Sequence, residues 1–209
     1  MNREFPRKIA AAILGVLFVG CGIAINNGAG LGNDPVGIFY DGIRLTLNLN
    51  YEQLNIASSV VNFLLLIIVF FTGRKYVNLG TLIYIVPYAI CISIGTSIFN
   101  IIPCTDFLVV KILCSIVGCC LLYSGVALFV VADIGLDPFT GLSMVIAKTI
   151  RKDFKFGKWI TDSILISTGF ILGGALGIIT IITLIMGGPM IQFFEKQIKR
   201  FSLALSQKY

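Results

Sequence analysis

The chain has 209 residues, of which 57% are hydrophobic and only 12% charged, with a formal net charge of +6 and no histidine. Its mean hydropathy is +0.96. Ordinary soluble proteins carry about 25% charged residues, so a soluble core is excluded: lipid is the solvent that can take up this much apolar surface. At roughly 20 residues per spanning helix, the length holds about six to eight helices and leaves no stretch for a soluble domain.

Most Lys and Arg lie between or beyond apolar runs, which fits membrane orientation and contact with anionic lipid. No aromatic–basic interleaving points to nucleic acid, and none is expected as a partner. The cysteines (Cys21, Cys91, Cys104, Cys114, Cys119, Cys120) form no C-x-x-C. Without histidine, zinc and haem lose their usual ligands, so these cysteines read as small buried hydrophobes and neither metal nor cofactor is expected.

In chain order, Arg3, Arg7 and Lys8 precede an apolar run from Ile9 to Asn26. The layout is that of a signal peptide, but no A-x-A-like cleavage site follows, so a first transmembrane helix is predicted. A Gly/Asn segment leads to Gly32-Asn33-Asp34-Pro35 and a short segment, Pro35 to Asn48. Asp suits a helix N-cap, where its carboxylate accepts from an orphan backbone N–H, and Pro suits the first helical position. Such a helix is about 20 Å long at 1.5 Å per residue, short of the roughly 30 Å hydrocarbon core. It carries Asp41 and Arg44, three apart and hence on one face: either a gating or binding pair, or a partly solvated ion pair.

The second spanning run is Ile56 to Thr72, starting near Glu52, and ends at Gly73-Arg74-Lys75. Leu79 to Ile102 is the third, with Pro87 a kink point. Phe107 to Ala132 is the fourth. Gly135-Leu136-Asp137-Pro138 then opens a second short segment, Pro138 to Ile150. The basic stretch Lys148 to Lys158, with Phe154, Phe156 and Trp159, reads as an inner-leaflet anchor or as a docking surface. Trp159 to Leu172 is the fifth run and Leu176 to Phe194 the sixth. The fifth contains Asp162. A charge there is costly, so it either faces a cavity or pairs with Lys158 at the interface.

Asp34-Pro35 and Asp137-Pro138 are 103 positions apart. Each follows a long apolar run and precedes a polar turn and two more long runs, so an internal repeat is predicted over approximately 9–102 and 107–198. Asp133 falls opposite Gly30. Charge asymmetry places both termini in the cytoplasm. It favours six spans plus two re-entrant or interfacial Asp-Pro helices over eight spans, because eight would put Arg74-Lys75 outside. Three spans per half give the repeats opposite orientation, a recurring plan of secondary transporters with a midplane site. The expected fold is thus an all-α polytopic membrane protein with two inverted-topology repeats.

Gly30-Leu31-Gly32-x-Asp34-Pro35, its partner Gly135-Leu136-Asp137-Pro138, the run through Gly173, Gly174, Gly177, Ile178 and Thr180, and the final Gly187-Gly188-Pro189 with Phe193-Phe194 resemble the YczE/YyaS/YitT family of bacterial integral membrane proteins. The resemblance covers nearly the whole chain. That family often has an aromatic residue before the first Asp, where this chain has Asn33. The resemblance implies the architecture and a bacterial plasma membrane, and carries over no functional residues.

The expected function is movement of a small solute or ion between the repeats. The candidate pathway residues are Asp34, Asp137, Asp162, Asp41 and Arg44, and the helix-start motif is Gly32, Pro35, Gly135 and Pro138. The alternative is a non-transporting accessory protein acting through its basic cytoplasmic face. No nucleotide motif is present, and no cues for an intramembrane enzyme. Besides lipid, a second copy of the chain or another membrane protein stays open as a partner.

Overall fold

The structure, a computed structural model, describes residues 4–50, 53–101 and 107–206; Arg3, Glu52, Ile102, Cys104, Asp106 and Lys208 lie outside them. The described residues contain no strand. The helices are α1 (Glu4–Ala29), α2 (Pro35–Thr46), α3 (Leu54–Thr72), α4 (Leu79–Asn100), α5 (Leu108–Ala132), α6 (Pro138–Thr149), α7 (Phe154–Ile171) and α8 (Ile178–Ser206), with a 3-10 turn at Arg74–Tyr76. Four helices are long and apolar enough to cross a membrane: Phe5–Ala29, Ile83–Asn100, Leu108–Ala132 and Ile178–Arg200. The apolar part of α3, Ile56–Thr72, is shorter. Helices α1 and α8 outrun their apolar cores, because nothing in the charged flanks breaks the backbone ladder. In α8 the continuation carries a Lys199–Glu195 pair at i,i+4.

The chain is apolar outside and polar inside. Phe63, Phe71, Ile90, Leu113 and Ile181 are all more than half exposed, while Asn26, Asn62, Thr183, Asp137 and Asp162 are buried. Water would penalise both arrangements and lipid neither, so this is a membrane protein. Helices α1 and α5 form its central pair. The ideal Cβ position of Gly15 lies 2.8 Å from the Gly125 carbonyl oxygen, and that of Gly22 lies 2.6 Å from the Gly118 carbonyl oxygen. Numbers therefore rise along one helix as they fall along the other: the two run antiparallel, at backbone contact that only glycine allows. Gly169 makes a similar approach to the Ile38 carbonyl oxygen of α2. Gly173, four residues on, lies beyond the end of α7 in a left-handed turn with φ +95°.

Several backbone features recur 103 residues apart, the spacing of the two Asp-Pro motifs. Left-handed residues occur at Gly30 and Asp133, at Gly32 and Gly135, and at Asn48 and Arg151. The closing bonds of α2, Leu47 N–H to Ile43 and Leu49 N–H to Arg44, reappear in α6 as Ile150 N–H to Ile146 and Lys152 N–H to Ala147. Asp133 is therefore the residue that fills Gly30's left-handed position.

The two Asp-Pro loops are clasped by helices distant in sequence. At the start of α4, Gly80 N–H donates to the Ile134 carbonyl (2.8 Å) and Thr81 Oγ1 donates to the Leu136 carbonyl (2.9 Å). At the start of α8, Ile179 N–H donates to the Leu31 carbonyl (3.2 Å) and Thr180 Oγ1 to the Asn33 carbonyl (2.8 Å). Helix α4 thus holds the second Asp-Pro loop and α8 the first. Removing one hydroxyl strands a buried carbonyl, at about 1–3 kcal/mol. Thr81→Val and Thr180→Val are therefore each expected to lower the melting temperature of the purified protein by a comparable amount. A loss in just one of them would count against equivalent clasps.

Both ends of each short helix reach a single turn elsewhere in the chain. The Tyr76 carbonyl accepts from Leu136 N–H just before α6, and the Tyr76 ring lies 5.3 Å from Lys148 Nζ in the last turn of α6. Both ends of α6 thus reach the turn between α3 and α4. In the same way Gly32 abuts Gly177, and Leu45 lies 3.4 Å from the ideal Cβ position of Gly173, so both ends of α2 reach the turn between α7 and α8.

Candidate functional site

Both short helices begin as their sequences require. Asp34 and Asp137 sit in extended backbone as N-caps, with Pro35 and Pro138 in the first turn. Asp137 Oδ1 accepts from Phe139 N–H (3.1 Å) and Thr140 N–H (3.0 Å). Asp34 Oδ2 accepts from Val36 N–H at 3.2 Å, and its Oδ1 has no hydrogen-bond partner. The capping reading and the cavity reading hold together: the two carboxylates cap their helices and also line one cavity of about 40 Å³.

That cavity lies at the middle of the bundle. The first turns of α2 and α6 form part of its wall, through Asp34-Pro35-Val36 and Asp137, Phe139 and Thr140. Tyr84 and Tyr88 come from α4, Tyr123 from α5 and Lys158 from α7, with apolar residues of α1 and α8 completing it. Tyr84 and Tyr88 stack at 5.2 Å between centroids, and Tyr40 packs edge-on against Tyr88 and Phe139. Tyr40 is fixed in turn by α3, where Asn62 Nδ2 donates to its hydroxyl at 2.7 Å. Tyr123 donates to the Thr183 carbonyl at 3.3 Å.

Lys158 departs from its expected place among the basic surface residues. Its side chain is 11% exposed and bonds Asp162, whose side chain is 1% exposed. Glycine makes this possible: Gly157 brings the start of α7 against the backbone of Ser143 and Ala147 in α6, so the next residue points inward. Asp162 thus pairs with Lys158 as one reading expected, and the pair is buried within the protein. Its Oδ2 has no hydrogen-bond partner. The Lys158 ammonium exerts its field on Asp34 and Asp137 as well as Asp162.

Asp41 and Arg44 stand apart from this cavity. They pair with each other at 2.8 Å, and Arg44 also donates to the Leu49 carbonyl at 2.9 Å, closing the end of α2. Gly32 and Gly135 are left-handed, with φ of +103° and +137°, and turn the chain into each cap. Asn26 reaches across the α1–α5 seam to Cys119 Sγ at 3.6 Å. Among the described residues no three His, Cys, Asp or Glu side chains are placed to hold a metal ion.

The tyrosine cluster and the two clasping threonines were not among the expected site residues. The threonines had one signal: each stands three residues after a turn residue, Asn78 or Gly177, whose N–H its hydroxyl accepts from at 3.3 and 3.2 Å.

An uncharacterized protein of Bacillus subtilis (strain 168) named YyaS is 22% identical over 195 residues, covering 93% of this chain and 96% of its own. An uncharacterized protein of Haemophilus influenzae is 27% identical over 189 residues, covering 90% of this chain and 82% of its own. No solved structure matches the chain. The likeness to YyaS agrees with the resemblance carried by the Asp-Pro and Gly-rich motifs. With residues 6–196 matching the family of unknown function DUF6198, the chain belongs to that family.

Proposed function

We propose that the chain is a carrier of a small solute in the bacterial plasma membrane, built from two inverted halves. On this reading α1, α3, α4, α5, α7 and α8 cross the bilayer, while α2 and α6 enter and return. At 1.5 Å per residue, the 19 residues of α3 and the 18 of α7 reach about 28 and 27 Å, close to the hydrocarbon thickness. A helix whose two ends meet the same turn does not carry the chain across, which supports re-entry for α2 and α6. Antiparallel α1 and α5 are what halves of opposite orientation require. Lys75 and Lys148 flank the same Tyr76 ring, so these basic residues share one end of the molecule, as a cytoplasmic face would have it.

The observation that carries the functional reading is the meeting of both Asp-Pro helix starts, one from each half, at a single polar cavity. Sites between inverted halves, framed by broken-helix termini, suit alternating access. The test needs no knowledge of the solute. Val126→Cys, on a cysteine-free background in sealed oriented vesicles, is exposed to a membrane-impermeant thiol reagent on either face. A carrier lets the cavity be labelled from each face. Labelling from one face only, or from neither, sinks the carrier and leaves an accessory role at the basic end. In the same background, cysteine at position 104 is expected to label from outside and at position 152 from the cytoplasm. Labelling of both from one side would overturn the inverted halves.

A further inference from the structure

We infer that the central cavity binds one small monovalent cation, in competition with a proton on Asp34. The inference deepens the carrier reading by naming the class of its cargo.

The argument begins with charge. Among the described residues the buried charged side chains are Asp34, Asp137, Asp162 and Lys158. Asp41 and Arg44 close on each other elsewhere. Three carboxylates therefore face one ammonium. The N-termini of α2 and α6 each supply a partial charge of about +0.5. About one negative charge is left uncovered in a medium that does not tolerate it. A proton or a cation must cover it.

A second observation locates the place. Two oxygen atoms of cavity-lining residues have no partner at good hydrogen-bonding geometry, Asp34 Oδ1 and the Tyr88 hydroxyl, with only the Gly37 N–H near the first and the Tyr40 and Tyr84 hydroxyls near the second. Both residues are at least 97% buried, with exposures of 3% and 2%. Asp137, by contrast, holds two N–H groups of its own helix with a single oxygen.

The ligand's class follows from the lining. The lone-pair donors of the lining are oxygens, which suit a hard cation; the Lys158 ammonium, also in the wall, is held by Asp162. One uncovered charge suits a monovalent ion, and the absence of three clustered ligating side chains among the described residues argues against a divalent metal. The tyrosine rings add a surface that attracts cations and repels anions. The cavity of about 40 Å³ holds an ion with a few waters, at about 10–15 Å³ each, and no sugar or nucleotide.

The groups facing Asp34 are Lys158 and Asp162 of α7, Tyr84 and Tyr88 of α4, Cys119 and Tyr123 of α5, and Asp137 across the cavity. Helices α1 and α8 contribute Val19, Ile23 and Ile191, none of which titrates. Lys158 is engaged by Asp162. Proton competition falls on Asp34, which holds one N–H of its own helix where Asp137 holds two.

The experiment is ²²Na⁺ binding to the purified full chain in nanodiscs, at constant ionic strength with N-methylglucamine as the inert cation. The expected result is saturable binding of one ion per chain. Its apparent affinity should fall about tenfold per pH unit on the acid side, as one competing proton requires. Potassium and ammonium are added as competitors, and displacement by either supports the class. Asp34→Asn keeps the cap, since Asn serves as well as Asp there. It is expected to weaken binding more than tenfold and to abolish the pH dependence. Tyr88→Phe leaves the cap untouched and is expected to weaken binding several-fold.

Absence of saturable binding for sodium, potassium and ammonium alike overturns the inference, as does binding unchanged in both variants. Two-faced labelling of Val126→Cys without cation binding refutes the cation and keeps the carrier. Cation binding without two-faced labelling does the reverse.

Discussion

Lys158→Met is expected to destabilise the protein by about 3–5 kcal/mol, because it leaves the Asp162 carboxylate buried with nothing to neutralise it. The ammonium bonds Asp162 directly, and that carboxylate's second oxygen already lacks a partner. The companion variant is Lys158→Met with Asp162→Asn. It removes both charges at similar volume and is expected to recover most of the loss, since the cost of breaking a buried ion pair lies mainly in the charge left unpaired. Melting temperatures of wild type, both single variants and the double variant complete the cycle. A Lys158→Met protein as stable as wild type would show that the pair does not hold α7 in place.

Gly177→Ala is the other large effect, about 3 kcal/mol or more. An added Cβ would sit 2.2 Å from the Leu31 carbonyl oxygen and 2.5 Å from Gly32 Cα. Both are backbone atoms, so no side chain can move aside. Gly30→Ala is the control. Its Cβ would meet nothing within 4 Å, and its left-handed φ of +67° alone costs about 1–2 kcal/mol. Chemical denaturation or size-exclusion recovery of folded protein separates them. Equal losses would mean that close approach at the clasp is unimportant.

Local signals made much of the fold readable. Asp-Pro fixes a helix start by side-chain chemistry, and both short helices begin where the motif places them. Their equal spacing survives as a repeat of dihedral angles down to Asn48 and Arg151. The pairing of Asp162 with Lys158 was available from i,i+4 spacing, but its depth was not. Lys158 ends a basic stretch, and only the close packing of Gly157 on α6 turns it inward. The tyrosines were opaque for another reason. In a chain this apolar, Tyr84 and Tyr88 look like any other members of a spanning run, and their shared cavity depends on helices far away in sequence. The threonine clasps join positions 55 and 147 residues apart, a link no local pattern encodes.

The crossed clasp sets an order of assembly. As the chain leaves the ribosome, the first Asp-Pro loop emerges early, yet the hydroxyl that satisfies its Asn33 carbonyl belongs to Thr180, 147 residues later. The second loop finds Thr81 already made. The loop made first is thus the last to be locked. Until α8 is made, the Asn33 carbonyl lacks its Thr180 partner, although Asp34 can already cap α2.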